Sequence, residues 1–170
     1  MRVRSLKYDL LEWLYQAYQN DPLAKWDVGP FMEEHGISAV SSMIEFGNAL
    51  KKSGHLREFN GQGYESFQAS ISILGIDLIS EDVKSEIQQL LEGIKNDFDH
   101  FYPVVNHLQF LPKTFEVAAE ISHYMQNNGL VFSRSETDDV FIKITEKGVE
   151  YLNHPGGPYN MSGSPLRKIA

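Results

Sequence analysis

Apolar residues near the start of the chain recur at intervals of three and four, the period of a helix with one buried side. Leu6, Leu10, Trp13, Leu14 and Ala17 form that stripe; Ser5 can cap the helix and Asn20-Asp21-Pro22 ends it. A short second helix is expected from an Asp27 cap, holding Val28, Phe31 and Met32 and stopping at Gly36. A third, capped by Ser38, turns Val40, Met43, Ile44, Gly47 and Leu50 inward and ends at a left-handed Gly54. The period then shortens to two. Residues 56–59 read as a strand, Gly61-Gln62-Gly63 as a turn and residues 64–69 as the returning strand, before Ile73, Ile76 and Ile79 mark a short helix.

The same order recurs about 75 positions on. Ser80 stands where Ser5 stood, capping a helix expected from 81 to about 100, with Val83, Ile87, Leu90, Leu91, Ile94 and Phe98 inward. Glu81 and Asp82 fall in its first turn, where the helix dipole favours carboxylates. The short second element falls on 103–110, and Pro112 suits the first position of the next helix. Phe115, Ala118, Ala119, Ile121, Ser122 and Met125 face inward there, and Gly129 takes the place of Gly54. Residues 130–134 and 140–144 read as strands around the polar loop 135–139. The segment after each returning strand aligns at a spacing of 73, so the second copy is two residues shorter in its hairpin.

After Leu152 the breakers take over. Residues 154–170 are rich in Gly, Pro and Ser and read as a flexible tail. The expectation is an α+β, mostly α chain: unit 1 over 1–79, unit 2 over 80–153, each of three helices plus a β-hairpin, then the tail.

Composition narrows the chemistry. With 170 residues the chain can bury a core without a metal or disulfide staple, and it contains no cysteine, which removes disulfides, thiolate metal sites and cysteine nucleophiles together. No run approaches the roughly 20 apolar residues that span a bilayer, and no apolar stretch follows Met1-Arg2-Val3-Arg4; a cytoplasmic protein without a membrane partner is expected. The net charge is −8, and it is concentrated in residues 61–112, which hold eight acidic and two basic side chains. Such a balance disfavours a polyanionic partner overall and leaves one possible only locally.

Three helices, a hairpin and a short helix are the layout of the winged-helix (helix-turn-helix) superfamily, and the chain resembles tandem copies of it. Ile144-Thr145-Glu146-Lys147-Gly148-Val149-Glu150-Tyr151-Leu152 looks like the end of many such domains, where a strand enters a threonine-capped helix with a Lys-Gly pair. Asn127-Asn128-Gly129-Leu130-Val131 is similar to their turn from the third helix into the first wing strand. Ser72-Ile73-Leu74-Gly75 departs from the threonine pattern, which makes unit 1 the weaker match. The resemblance implies a third helix laid in a major groove in many members and protein binding in others.

On unit 1's third helix Ser41, Glu45, Asn48 and Lys52 face outward, with Lys51, His55 and Arg57 close by in sequence and Arg2, Arg4 and Lys7 on the N-terminal arm. Ser41, Asn48, Lys51, Lys52 and Arg57 are the candidate DNA contacts, since Asn pairs with adenine and Lys, Arg and Ser reach phosphates or base edges. Glu45 in their midst repels phosphate. The matching positions of unit 2 hold Glu116, Glu120, His123 and Asn127, and its loop adds Glu136, Asp138 and Asp139. That unit is not expected to bind DNA by this face.

No nucleophile elbow, phosphate loop, dinucleotide fingerprint or zinc-protease motif occurs. The pairs Asp97/His100 and Glu120/His123, with His107 between them, have the spacing of carboxylate–histidine metal sites, although Glu120 and His123 turn outward in this register. Trp13, Tyr15, Tyr18, Trp26, Phe98, Phe101 and Tyr102 read as packing residues rather than base-stacking ones. The expectation is a non-catalytic regulatory or protein-interaction module, without cofactor or metal, that binds a protein partner or itself. DNA binding through unit 1 is the alternative, and a metal-dependent enzyme is a second one.

Overall fold

In the computed structural model the described residues are 3–61 and 66–154, with side chains from Leu6 onward. Most of the expected turn at 61–63 and the tail beyond His154 lie outside them. The fold is α+β and mostly helical, with two small antiparallel sheets. The chain divides into two compact units, Met1–Ser80 and Glu81–Ala170.

Unit 1 runs α1 (Val3–Asn20), β1 (Trp26–Asp27), α2 (Gly29–Glu34), α3 (Val40–Lys52), β2 (Leu56–Asn60), β3 (Gln68–Ile71) and α4 (Ile73–Ile79). Its sheet has the order β1-β3-β2, so the expected two-stranded hairpin gains a third strand, Trp26 pairing with Ala69. The α1 stripe is wider than expected: Leu11, Tyr15 and Tyr18 are buried with Leu6, Leu10 and Leu14. Trp13 lies outside it, 36% exposed and stacked on Phe31 at 5.4 Å between centroids. Ser38 does not cap α3; Ala39 holds that position without a side-chain bond, and Val40 is exposed. Asp27 precedes the α2 cap position and fixes the loop instead, its Oδ1 accepting the Gly29 and Phe67 N–H groups.

Unit 2 runs α5 (Asp82–Ile94), β4 (Tyr102–Pro103), a 3-10 turn (Val105–His107), α6 (Phe115–Asn127), β5 (Val131–Ser135), β6 (Val140–Ile144) and α7 (Glu146–Asn153). Its sheet order is β4-β6-β5. The helix expected to reach about residue 100 stops at Ile94, which leaves Phe98 exposed rather than inward. Asp97 explains the stop locally: its carboxylate takes the Asp99 N–H, the His100 ring and the Tyr102 hydroxyl, a turn that competes with helix bonding. Ser80 does not cap α5, whose cap position is Glu81 with no side-chain bond. Likewise Thr114, not Pro112, starts α6, accepting the Val117 N–H at 3.2 Å.

The two units share their junctions bond for bond. Gly54 (φ 85°) and Gly129 (φ 76°) end α3 and α6 in the left-handed region. In each, the next residue's N–H reaches back to the helix, His55 to Leu50 O and Leu130 to Met125 O, both at 3.0 Å. Ser72 and Thr145 cap the closing helices by accepting the Gly75 and Gly148 N–H groups, and their hydroxyls donate to the Gly54 and Gly129 carbonyls. Serine therefore does in unit 1 what threonine does in unit 2. A Cβ on Gly75 or Gly148 would overlap the His55 or Leu130 carbonyl, so the close approach requires glycine at both places. One difference lies in the hairpins: β2 carries a register shift between Leu56 and Glu58, whereas β5 pairs regularly with β6.

Candidate functional site

Ser41, Asn48, Lys51 and Lys52 are exposed on α3, and so is Glu45 among them. Arg57 does not join them as a free cation. Its guanidinium donates to the Pro22 carbonyl at 2.6 Å and to Ser70 Oγ at 3.3 Å, tying β2 to β3 and to the loop before β1. Lys51 lines a hollow of about 490 Å³ with Lys25, Glu58, Asn60 and Gln68, where Lys25 already pairs with Glu58 at 2.7 Å. Lys25 first, with Arg57 and Lys51 adding to it, holds the Glu58 carboxyl below its usual range. An anion entering here would meet that carboxylate. His55 is pushed below its usual value by burial and then by Lys7.

On α6 the corresponding residues Glu116, His123 and Asn127 are exposed and Glu120 is half-buried. Glu136 and Asp138 are exposed in the hairpin loop. Asp139 serves the fold, its Oδ1 taking the N–H groups of Val104, Val105 and Val140.

Of the two acid–histidine pairs, Asp97 and His100 are in contact at 2.7 Å. The Tyr102 hydroxyl, then the Asp99 N–H, then His100 bring the Asp97 carboxyl down to about 2. So low a value makes a poor general base near neutrality. His107 binds its own chain through Nδ1 and the Pro103 carbonyl. Among the described residues no group of three His, Asp or Glu side chains is placed to hold a metal ion, and no helix is long and apolar enough to cross a membrane.

Glu86, on α5, is fully buried. Its Oε1 accepts the N–H groups of Gln109 (3.0 Å), Phe110 (2.8 Å) and Leu111 (3.0 Å). The Gln89 amide, with its nitrogen toward Glu86, donates to Oε2 at 3.0 Å. The need is local. Unit 1 forms α2 between β1 and α3, whereas unit 2 has a single 3-10 turn and then open chain, whose N–H groups have no helix to bond within and turn to Glu86. Glu86 could have been suspected from the sequence, because it falls on the apolar stripe between Val83 and Leu90.

Unit 2 exposes Phe98, Phe110 and Phe132, and the last stands on the outer face of its hairpin among other rings and two cations. Val131, Val140, Ile142 and Ile144 point to the core, and the alternate residues Phe132, Arg134, Phe141 and Lys143 point away. Phe132 faces Lys143 across the strands and Arg134 faces Phe141. Phe101, just before β4, completes the set: the Arg134 guanidinium lies 4.6 Å from its ring centre and Lys143 Nζ 5.0 Å. Both cations also approach a second ring, Phe141 at 5.7 Å for Arg134 and Phe132 at 5.7 Å for Lys143. Phe132 is 57% exposed. In unit 1 the outer positions of β2 and β3 hold Arg57, Glu58, Asn60 and Gln68, polar groups without an exposed ring. Its exposed apolar residues stand elsewhere, in the Trp13–Phe31–His35 stack and at Leu23 and Trp26. The packing role expected of Trp13, Trp26 and Phe98 is therefore only partial.

No family model, curated protein or solved structure matches the chain. Its surfaces carry the case for function.

Proposed function

We propose that the protein is a non-catalytic regulatory or protein-interaction module, cytoplasmic, built on two winged-helix-like units of which the second holds the partner-binding face. The observation that carries this reading is the exposed Phe132 beside the half-buried Phe101 and Phe141, with two cations over the rings. A ring left in water on a regular hairpin, with two more half-buried beside it where unit 1 is polar, suits a surface that a partner covers. The winged-helix likeness is supported by the order of elements, the glycine turn after α3 and α6, and the hydroxyl-capped closing helix. On that likeness α6 is the helix that would enter a groove, and its Glu116 and Glu120 oppose phosphate.

DNA binding through α3 is the second reading, favoured by the exposed Ser41, Asn48, Lys51 and Lys52. The commitment of Arg57 to Pro22 and Ser70 weighs against it.

Parallel affinity capture with the full chain and with Phe132→Ala tests the proposal. A partner retained by the first and lost by the second is expected. Equal recovery on both overturns it, as does retention on duplex DNA at about 50 mM salt that disappears in Lys52→Glu, because non-specific DNA affinity is greatest at low salt.

A further inference from the structure

The outer hairpin face of unit 2 has a chemistry specific enough to name its partner. We infer that it binds an acidic peptide segment, one whose carboxylates reach Arg134 and Lys143 while an aromatic or aliphatic side chain lies on Phe132. This rests on the interaction reading above and adds the class of partner to it.

The cations are the starting point. Unit 2 holds thirteen acidic and six basic side chains between residues 81 and 154, yet two of those six stand together on this face among three phenylalanines. The Arg134 guanidinium carbon lies over Phe101, 4.6 Å from its ring centre, and a guanidinium held on a ring keeps N–H groups to offer a carboxylate. Its ion pair is loose: Nε is 3.6 Å from Glu136 Oε1, and both side chains are more than half exposed. Such a contact is readily exchanged for a better placed carboxylate. Lys143 sits between Phe101 and Phe132, over rings rather than beside an acid. Charge complementarity therefore asks for an anion, and the rings ask for an apolar group next to it.

Single-stranded nucleic acid also combines bases with anions. The surroundings decide against it. Glu136 and Asp138 stand in the hairpin loop and Asp99 two residues from Phe101, all exposed, with Asp97 held fully ionised. A phosphate chain bears a charge at every nucleotide and would pass these carboxylates with only two cations in return. A peptide can put one or two carboxylates on Arg134 and Lys143 and stay neutral elsewhere. The peptide crosses the face rather than extending the sheet at its middle, because the Ser133 N–H on β5 already donates to Gln126 Oε1 at 2.7 Å.

Fluorescence anisotropy with three labelled probes tests the assignment on the full chain. They are a twelve-residue peptide with two Glu flanking a Phe and otherwise neutral residues, the same peptide with Lys for each Glu, and a twelve-nucleotide oligothymidylate. The acidic peptide is expected to bind, and to weaken at least tenfold with Arg134→Gln/Lys143→Gln and at least fivefold with Phe132→Ala. Lys95→Gln, away from the face, is expected to leave it unchanged. The assignment is overturned if the lysine peptide binds as well, if the double variant binds the acidic peptide undiminished, or if oligothymidylate binds more tightly through the same residues. Should the acidic peptide fail while affinity capture remains sensitive to Phe132→Ala, the interaction reading stands and the partner class is wrong; if both fail, the face is not an interface.

Discussion

Replacing Glu86 by leucine puts the logic of unit 2 under direct test. By hydrophobicity alone the change ought to help, since a fully buried carboxylate held by N–H groups rather than by a cation is expensive to desolvate. Leu11, 75 residues earlier and also fully buried, shows that the matching site in unit 1 accepts leucine. The hydrogen bonds argue the other way. Glu86 is the acceptor for three consecutive N–H groups, those of Gln109, Phe110 and Leu111, and each bond to a charged acceptor is worth about 1.5–3 kcal/mol. Leucine strands all three, at about 1–3 kcal/mol for each N–H that water cannot reach. Transfer of the side chain returns roughly 1.5–3 kcal/mol. At mid-range the lost bonds outweigh that return, so a net loss of a few kcal/mol is expected, most of it from the buried Leu111, with Glu86→Gln intermediate because one oxygen remains. Urea unfolding followed by circular dichroism measures the loss, and amide exchange at residues 109–111 localises it. Both tryptophans, Trp13 and Trp26, lie in unit 1, so their fluorescence serves as an internal control. A Glu86→Leu protein as stable as the parent, or more so, with 109–111 still protected, refutes the assignment of the carboxylate as the essential acceptor.

Three other changes have signs fixed by their surroundings. Tyr102→Phe removes the largest cause of the low Asp97 pKa, so its carbon-detected titration is expected to climb from about 2 toward the ordinary aspartate range. The sign for stability follows: a carboxyl depressed in the folded state stabilises above its unfolded pKa and loses that contribution as pH falls toward 2, and the loss should shrink in Tyr102→Phe. Ser122→Ala deletes a fully buried hydroxyl that finds no partner among the described residues, and a gain of about 1 kcal/mol in unfolding free energy is expected. Gly93 and Gly148 should respond oppositely to alanine: Gly93 has open space around it in α5 and gains about 0.5–1 kcal/mol, whereas at Gly148 the Leu130 carbonyl must move and α7 is destabilised.

The parts of the fold legible in the sequence are those that backbone chemistry dictates. Gly54 and Gly129 are readable because a left-handed residue that ends a helix is nearly always glycine, and Thr145 because a hydroxyl before a helical run has one common use. Pro112 misled, since proline is only compatible with a helix start whereas Thr114 makes the bond. Strands β1 and β4 are two residues each and leave no periodicity to detect; only their partners reveal them. Trp13 fitted the apolar stripe of α1 yet turns out to Phe31, because Leu11, Tyr15 and Tyr18 fill the buried side first.

The candidate site was less legible for a related reason. Arg57 reads as a free cation in sequence, and nothing there shows that the Pro22 carbonyl lies within its reach. Phe132, Arg134, Phe141 and Lys143 alternate with core residues and so look like ordinary strand positions until the register places them on one face beside Phe101. Cation–ring contacts at exposed sites are worth about 0.5–1 kcal/mol each, a return that threonine or valine pairs on the same strands would give without rings in water. Stability of the hairpin is thus a weak reason for three phenylalanines there. The junction bonds that hold Ser72 and Thr145 are the same in both units, so the hairpin can be built with a polar outer face, as β2 and β3 are. What distinguishes unit 2 is what it offers outward, and that difference is the ground on which we propose a partner for Phe132.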